Sequence, residues 1–441
     1  MMSHSAADVS QFQYYLAIAV FLATYAIIIS EKVNRAVIAL LGAALMVIFG
    51  IVDTENAFTH HIEWGTITLL IGMMILVSIT SKSGFFQYMA IKAAKLAKGS
   101  PIRILVMLSL LTGLLSAFLD NVTTVLLVVP VTFSITRMLH VNPVPYLISE
   151  VLLSNIGGTA TLIGDPPNIM IGSANKHLDF NAFLLNLTPI VIVIAIVTVA
   201  LLAFVYRKQL QTDPALIQTL MELRDADYIQ DAKLMRKSVA VLGLTILGFI
   251  LHSAIHVDAA VIAMAGAIVL MLIAVPEHEI EEIFHSIEWV TIFFFAGLFV
   301  LVGGLVDIGL IKTLAERALD VTGGDISTAS YFILWLSGIA SATIDNIPFV
   351  ATMIPLIQDM AVGMGLSPDS PQIDVLWWAL SLGACLGGNG TLIGASANVI
   401  VAGIASREGH GFTYMDFLKI GAPLTLIALL LSHGYLWLRY L

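Results

Sequence analysis

The chain has 441 residues, 59% of them hydrophobic and only 11% charged, with a mean hydropathy of +0.96. Ordinary soluble domains carry about 25% charged residues, so this composition cannot build a water-soluble surface and lipid must be the main solvent. The net charge of −10 offers no basic patch for nucleic acid, and the single cysteine, Cys385, excludes an internal disulfide and a thiolate metal cage.

Residues 1–13 carry one acid and no basic residue, which lacks the positive region of a cleaved signal peptide, so the first apolar segment is expected to remain as a span. Apolar runs of spanning length lie near 14–30, 36–52, 64–80, 102–119, 122–139, 183–206, 238–255, 259–275, 289–306, 328–344, 347–364 and 417–438. Two further stretches, 146–175 and 376–406, are broken by glycine and small polar residues. Such breaks survive at membrane depth only when buried in protein or lining a watery cavity, and they are read here as re-entrant hairpins or discontinuous helices. Between the halves runs a hydrophilic linker, 207–237, with Arg207, Lys208, Arg224, Lys233, Arg236 and Lys237. The expected organisation is therefore a first repeat over 1–206 with a re-entrant hairpin at 146–175, the linker, and a second repeat over 238–441 with a re-entrant hairpin at 376–406.

Basic residues cluster after the first span (Lys32, Arg35), after the third (Lys82, Lys92, Lys95, Lys98, Arg103) and around the linker. The positive-inside rule places all three in the cytoplasm, which predicts external N- and C-termini. His60, His61, Glu63, His285 and Glu288 flank the starts of spans and read as interfacial anchors beside Trp64 and Trp289. Segments 84–98 and 309–319 read as amphipathic helices lying at opposite faces of the membrane.

An internal repeat organises all of this. HHIEW at 60–64 meets HSIEW at 285–289, a shift of 285 − 60 = 225. At that shift TGLLSAFLDNVTTVLLVVP, 112–130, meets SGIASATIDNIPFVATMIP, 337–355. At a shift of 230, TLIG at 161–164 meets TLIG at 391–394 and Asn168 meets Asn398. The charge distribution starts one copy outside and the other inside, so the copies are inverted, a pattern that marks secondary transporters with a site near the bilayer midplane.

Two motif pairs carry chemistry. Asp120-Asn121 and Asp345-Asn346 each sit in a long apolar stretch, where a carboxylate costs about 2.5–3.5 kcal/mol to insert. A proton or a cation removes that cost, and the adjoining Asn adds a neutral oxygen. These four residues are therefore candidate ion-coupling groups and candidate Na⁺ ligands, while a helix-capping role satisfies the same pattern. The second pair is the Gly/Asn/Thr-rich breaks. Asn155, Gly157, Gly158, Thr159, Thr161 and Asn168 in the first half, and Gly388, Asn389, Gly390, Thr391 and Asn398 in the second, are candidate substrate-binding residues. Close helix packing through small residues is the competing reading. Asp165, whose counterpart is Ala395, is either a further coupling carboxylate or a cap.

The DN pairs and the GGTATLIGDPPN segment at 157–168 resemble the ion transporter superfamily, over nearly the whole chain. Within it they are most similar to the cluster of arsenite permeases, sodium–proton antiporters and pink-eyed-dilution P proteins, grouped with citrate-transporter-like permeases. The resemblance implies an all-α polytopic protein of the plasma membrane, a homodimer, a scaffold holding a mobile transport region, and Asn155, Thr159, Asn389 and Thr391 at hairpin tips facing substrate. Neither break has an intact Ser-Asn-Thr triplet, which speaks against a dicarboxylate. The expected function is an H⁺- or Na⁺-coupled permease for a small solute, with arsenite or a related anion as the leading substrate. Na⁺/H⁺ antiport is the alternative, and a passive channel and an intramembrane aspartyl protease are the readings from other classes. No enzyme activity and no cofactor beyond a bound Na⁺ is expected.

Overall fold

The computed structural model describes residues 10–30 and 32–441, so the first nine residues of the N-terminal stretch lie outside the described part. The described chain is helical, and eight of its helices are long and apolar enough to cross a membrane. In the first half the main helices are α1 (Gln11–Ser30), α2 (Arg35–Ile48), α3 (Trp64–Lys82), α4 (Phe85–Leu96), α5 (Pro101–Ser116), α6 (Asn121–Met138), α7 (Val144–Gly158), α8 (Pro166–Ala174) and α9 (Thr188–Tyr206). A short linker helix, α10 (Pro214–Glu222), follows. The second half then gives α11 (Ala232–Ile255), α12 (Ala259–Ala274), α13 (Trp289–Asp307), α14 (Leu310–Thr322), α15 (Ile326–Thr343), α16 (Asn346–Gly363), α17 (Asp374–Gly387), α18 (Ser396–Arg407) and α19 (Tyr414–Tyr440). Nine elements recur in the same order, including the left-handed Gly84 and Gly309 that open α4 and α14.

Sidedness follows from a few contacts. The backbone N–H of Gln230 in the linker donates to Ser83 O at 2.9 Å, so α3 ends on the linker side and begins on the far side. Gln13 Nε2 donates to Gly50 O at 3.2 Å, so α1 begins on the far side with the 49–63 loop. Helix α11 begins on the linker side by chain continuity, which makes the repeats inverted. The C-terminal Tyr440 reaches Asn186 and lines a cleft with Asp374 on the far side. Of the 20 Lys and Arg in the chain, only Lys176, Lys312, Arg317 and Arg439 belong to far-side segments, so the positive charge is concentrated on the linker side.

The re-entrant and discontinuous segments exchange places relative to the sequence expectation. Gly99, just before α5, packs against Ile217 of α10, and Leu139, just after α6, accepts a hydrogen bond from Thr212 Oγ1 at 2.5 Å. Both ends of α5–α6 therefore lie on the linker side, and the pair is a re-entrant hairpin with its tip at Ala117–Asp120. Helix α7 starts on the same side, but α8 ends near His252 and Asp258 on the far side. The segment 146–175 is thus a discontinuous span. The second half repeats the arrangement inverted, with α15–α16 as the hairpin and α17–α18, 376–406, as the broken span. Apolar length misled the sequence reading, because a hairpin arm of 16–18 residues is as long and apolar as a short span.

The halves interlock. Helix α2 packs on α13 and α12 packs on α3, while α8 lies against α16 and α17 and α18 lies against α6 and α7. Helices α4 and α14 do not float at the interface as isolated amphipathic helices. Helix α4 packs under α5 and α6, and α14 under α16. The linker is also more than a tether, since Lys95 of α4 donates to Leu223 O at 2.6 Å and pairs with Asp225 at 3.4 Å.

Candidate functional site

Both hairpin tips and both helix breaks meet at the centre of the protein. Hairpin arms approach broken spans backbone to backbone: a Cβ on Gly157 would overlap the carbonyl oxygen of Gly113, and one on Gly387 would lie 2.5 Å from that of Gly338. Gly158 and Gly388 face Gly164 and Gly394 in the same close manner, and Gly390 faces Ala342. None of these glycines has positive φ. Close packing, rather than an unusual turn, is what the Gly157, Gly158, Gly388 and Gly390 positions require.

The polar residues of the breaks first satisfy the backbone groups that breaking a helix leaves orphaned. Thr161 Oγ1 donates to Ala117 O, and Thr391 Oγ1 donates to Ala342 O at 2.5 Å, so each ties a break to the facing hairpin tip. Asn168 Nδ2 donates to Thr159 O at 3.1 Å and Thr161 O at 2.9 Å. Asn398 Nδ2 donates to Gly388 O and Thr391 O, both at 2.9 Å. Thr159 Oγ1 bonds back to Asn155 O at 2.8 Å. Across the repeat boundary, Asn155 Nδ2 donates to Asn389 Oδ1 at 2.8 Å and Asn398 Oδ1 at 3.0 Å, and Asn389 Nδ2 donates to Leu152 O at 3.0 Å. All of these side chains are buried.

The aspartates are the capping residues of the hairpin tips. Asp120 accepts from Thr123 N at 2.8 Å and from Thr123 Oγ1. Asp345 accepts from Ile347 N at 3.1 Å, Ser396 Oγ at 2.7 Å and Arg35 Nη1 at 3.3 Å. Beside them, Asn121 Nδ2 donates to Asn155 Oδ1 at 2.9 Å and reaches Asp165 Oδ1 at 3.4 Å, while Asn346 Nδ2 reaches the same Asp165 oxygen at 3.4 Å. Asp165 is therefore held between the amides of the two hairpin tips. It starts α8 but makes no side-chain cap bond, its Oδ2 is buried with no nitrogen or oxygen partner among the described residues, and the Cys385 thiol lies against the carboxyl group.

Asp120, Asn121, Asp165 and Asn346 line a cavity of about 30 Å³ together with Arg35, Glu288, Thr291 and Ser396. That is about the volume of one water molecule. Asp345 instead faces an adjoining vestibule of about 280 Å³ that opens on the linker side, lined by Val33, Arg35, Phe294 and Ser396. The four residues singled out as Na⁺ ligands are thus not arranged as one shell. Asn121 Oδ1 is also occupied, accepting from Val122 N at 2.9 Å. Among the described residues, no group of three or more His, Cys, Asp or Glu could hold a metal ion.

Three charged residues of this region escaped the sequence reading. In the sequence Arg35 reads as a topology marker and Glu288 as an interfacial anchor, yet both line the central cavity. Glu150 of α7 is fully buried, with Oε1 accepting from Thr132 Oγ1 at 2.5 Å and Oε2 unpartnered. An acid inside the apolar stretch PYLISEVLL, 145–153, carries the same signal as Asp120, but its counterpart is Leu380 and the repeat does not flag it.

A family model described as citrate transporter matches residues 25–383. An uncharacterized transporter of Mycobacterium bovis is 44% identical over 96% of this chain and 98% of its own length. The 46 kDa membrane protein of Mycobacterium leprae is 44% identical over 97% and 99%. The human P protein is 36% identical over 96% of this chain and 60% of its own length. The crystal structure of the Alcanivorax borkumensis YdaH transporter, described as having an unusual topology, superposes with a TM-score of 0.57 over 97% of this chain and 98% of that one, at 14% identity, which is a likeness of fold. With its two inverted repeats, its central polar cavity and these relatives, the chain is a multi-pass membrane transporter and belongs to the citrate transporter family.

Proposed function

We propose that this protein is a secondary active transporter in which a proton or Na⁺ binds at the central cavity between the hairpin tips. The observation that carries this reading is Asp165, a fully buried carboxyl group that, among the described residues, has no cationic partner and meets only the Asn121 and Asn346 amides, both at 3.4 Å, and the Cys385 thiol. A bare carboxylate there is costly, and a proton or a small cation removes the cost. Asp120 lines the same cavity, has no basic partner among the described residues, and supplies a second carboxylate to the same ligand. Loading and unloading this pair is the coupling step, and the interlocked breaks α7–α8 and α17–α18 carry it across the membrane. No cofactor takes part.

For the solute, arsenite or a related small anion is the first substrate to test. Na⁺/H⁺ antiport is favoured by a separate observation: the cavity holds about one water volume and three carboxyl groups against one guanidinium, a lining suited to cations alone. The unit is proposed to be a homodimer, which light scattering in detergent decides. The deciding experiment is flux in proteoliposomes with imposed Na⁺ and pH gradients, comparing arsenite, citrate and ²²Na⁺. Gradient-driven ²²Na⁺ uptake without added solute supports antiport, and gradient-driven arsenite uptake supports the permease. Flux that ignores both gradients contradicts the proposal.

A further inference from the structure

Asp120 and Asp345 occupy equivalent places at the starts of α6 and α16, yet among the described residues only Asp345 has a basic partner. Arg35 Nη1, at the start of α2, donates to Asp345 Oδ2 at 3.3 Å and to Ser396 Oγ at 2.6 Å, and Ser396 Oγ donates to the same Oδ2 at 2.7 Å. The guanidinium also lies over the Phe294 ring, 5.0 Å from its centroid. This triad ties α2 to a hairpin tip and to the second arm of the broken span.

The repeat shows what the other half has instead. Asn34 and Asp258 are the N-caps of α2 and α12, a shift of 258 − 34 = 224, which carries Arg35 onto Ala259. The shift of 230 carries Ser396 onto Pro166. Neither counterpart has a charge or a donor to offer, and among the described residues no Lys or Arg pairs with Asp120. The other acid that lines the cavity beside Arg35, Glu288, is engaged by Thr291 Oγ1 at 3.1 Å.

Resting on the reading above, we propose that Arg35 is a tethered counter-ion that replaces one coupling cation, so that Asp345 is neutralised from within the chain while Asp120 and Asp165 take their charge from solution. A carboxylate at this depth needs a positive partner or a proton. A guanidinium fixed to α2 provides one permanently, because arginine stays charged. Its Nη1 also meets Ser396 and Asp345 together. Arg35 thus sets how many ions accompany each turnover: the first half draws its cation from the gradient and the second half does not.

The test counts coupling ions in the proteoliposomes described above, using ²²Na⁺ and arsenite as probes. The count comes from the gradient at which net flux vanishes and from the cooperativity of flux in coupling-ion concentration. Arg35→Gln leaves Asp345 unneutralised and should raise the count by one. Arg35→Lys keeps a tethered cation and should hold the wild-type count, and Arg35→Gln with Asp345→Asn should return to it. A count unchanged in Arg35→Gln overturns the inference while leaving coupled transport standing, whereas uncoupled flux in the wild type defeats the underlying reading instead. Should Arg35→Gln fail to reach the membrane, the comparison moves to Asp120→Asn against the Arg35→Gln, Asp345→Asn pair. Loss of gradient dependence in the first and its retention in the second supports the inference, and the reverse pattern overturns it.

Discussion

The two halves of this transporter share a backbone plan and differ in how each treats its membrane carboxylates. In both, a hairpin tip ends in an Asp-Asn pair, a glycine brings the hairpin arm onto a broken span, and a threonine and an asparagine restore the backbone bonds lost at the break. Asp345 of the second half is then paired with Arg35 of the first half and with Ser396. The first leaves Asp120 open to a cavity and adds Asp165 where the second has Ala395. Duplication thus fixed the packing and capping, while the charges diverged. An inverted repeat needs equal geometry in its halves to present one site to two sides, but it needs no equality of charge.

The comparison can be broken first at the packing it shares. Gly157→Val and Gly387→Val both force a side chain into the backbone of the facing hairpin. Each should lose most folded protein, a destabilisation of about 3 kcal/mol or more, as judged by monodisperse yield in detergent. Gly243→Val, with nothing within 4 Å of its Cβ position, should be recovered normally. A tolerated Gly387→Val would show that the second break is not packed like the first. Next comes the charge difference. Asp120→Asn should cut gradient-driven uptake by about 100-fold, since it removes an ionisable group from the coupling pair. Asp345→Asn should reduce the rate and retain dependence on the gradient. Equal loss in both would return the aspartates to equivalence.

Smaller effects are expected at the asparagines that join the halves. Asn155→Ala and Asn389→Ala each delete one partner of the 2.8 Å bond across the repeat boundary. Each should weaken apparent substrate affinity about fivefold, the worth of roughly 1 kcal/mol for a hydrogen bond, with near-normal insertion. Transport with unchanged affinity in both would move the solute site elsewhere. The smallest effect is at the linker, where Lys95→Ala removes the bond to Leu223 O and a partly exposed ion pair with Asp225, of a kind that contributes little, and should leave transport intact. In a Cys385→Ala background, a cysteine at position 230 should be labelled only from the cytoplasmic side. Labelling from outside intact cells would reverse the topology.

Much of this was legible in the sequence because duplication writes each structural requirement twice. HHIEW and HSIEW, the DN pairs and TLIG gave the repeat, its order and the residues at the centre. The inversion followed from where lysine and arginine fall. Less legible was the path of the chain between those points. Residues 102–119 are as apolar as a span, and only the contacts of Gly99 and Leu139 with the linker show that the segment turns back. Singular residues were harder still. Arg35 stands in a charge cluster that topology already explains, and Glu150 has a leucine as counterpart, while Glu288, although repeated as Glu63, stands beside an interfacial tryptophan. A repeat highlights what both copies keep, so it hides what only one copy has acquired.

Asp165 is such an acquisition, and it tests the central claim most directly. Asp165→Asn preserves shape and can still meet the Asn121 and Asn346 amides through its oxygen, but it can neither take up a proton nor pair with a cation. In proteoliposomes with an imposed ion gradient, the variant should insert normally and lose gradient-driven accumulation. Asp165→Glu should retain part of it. Full gradient-driven accumulation by Asp165→Asn would contradict the assignment of the coupling ion to this cavity.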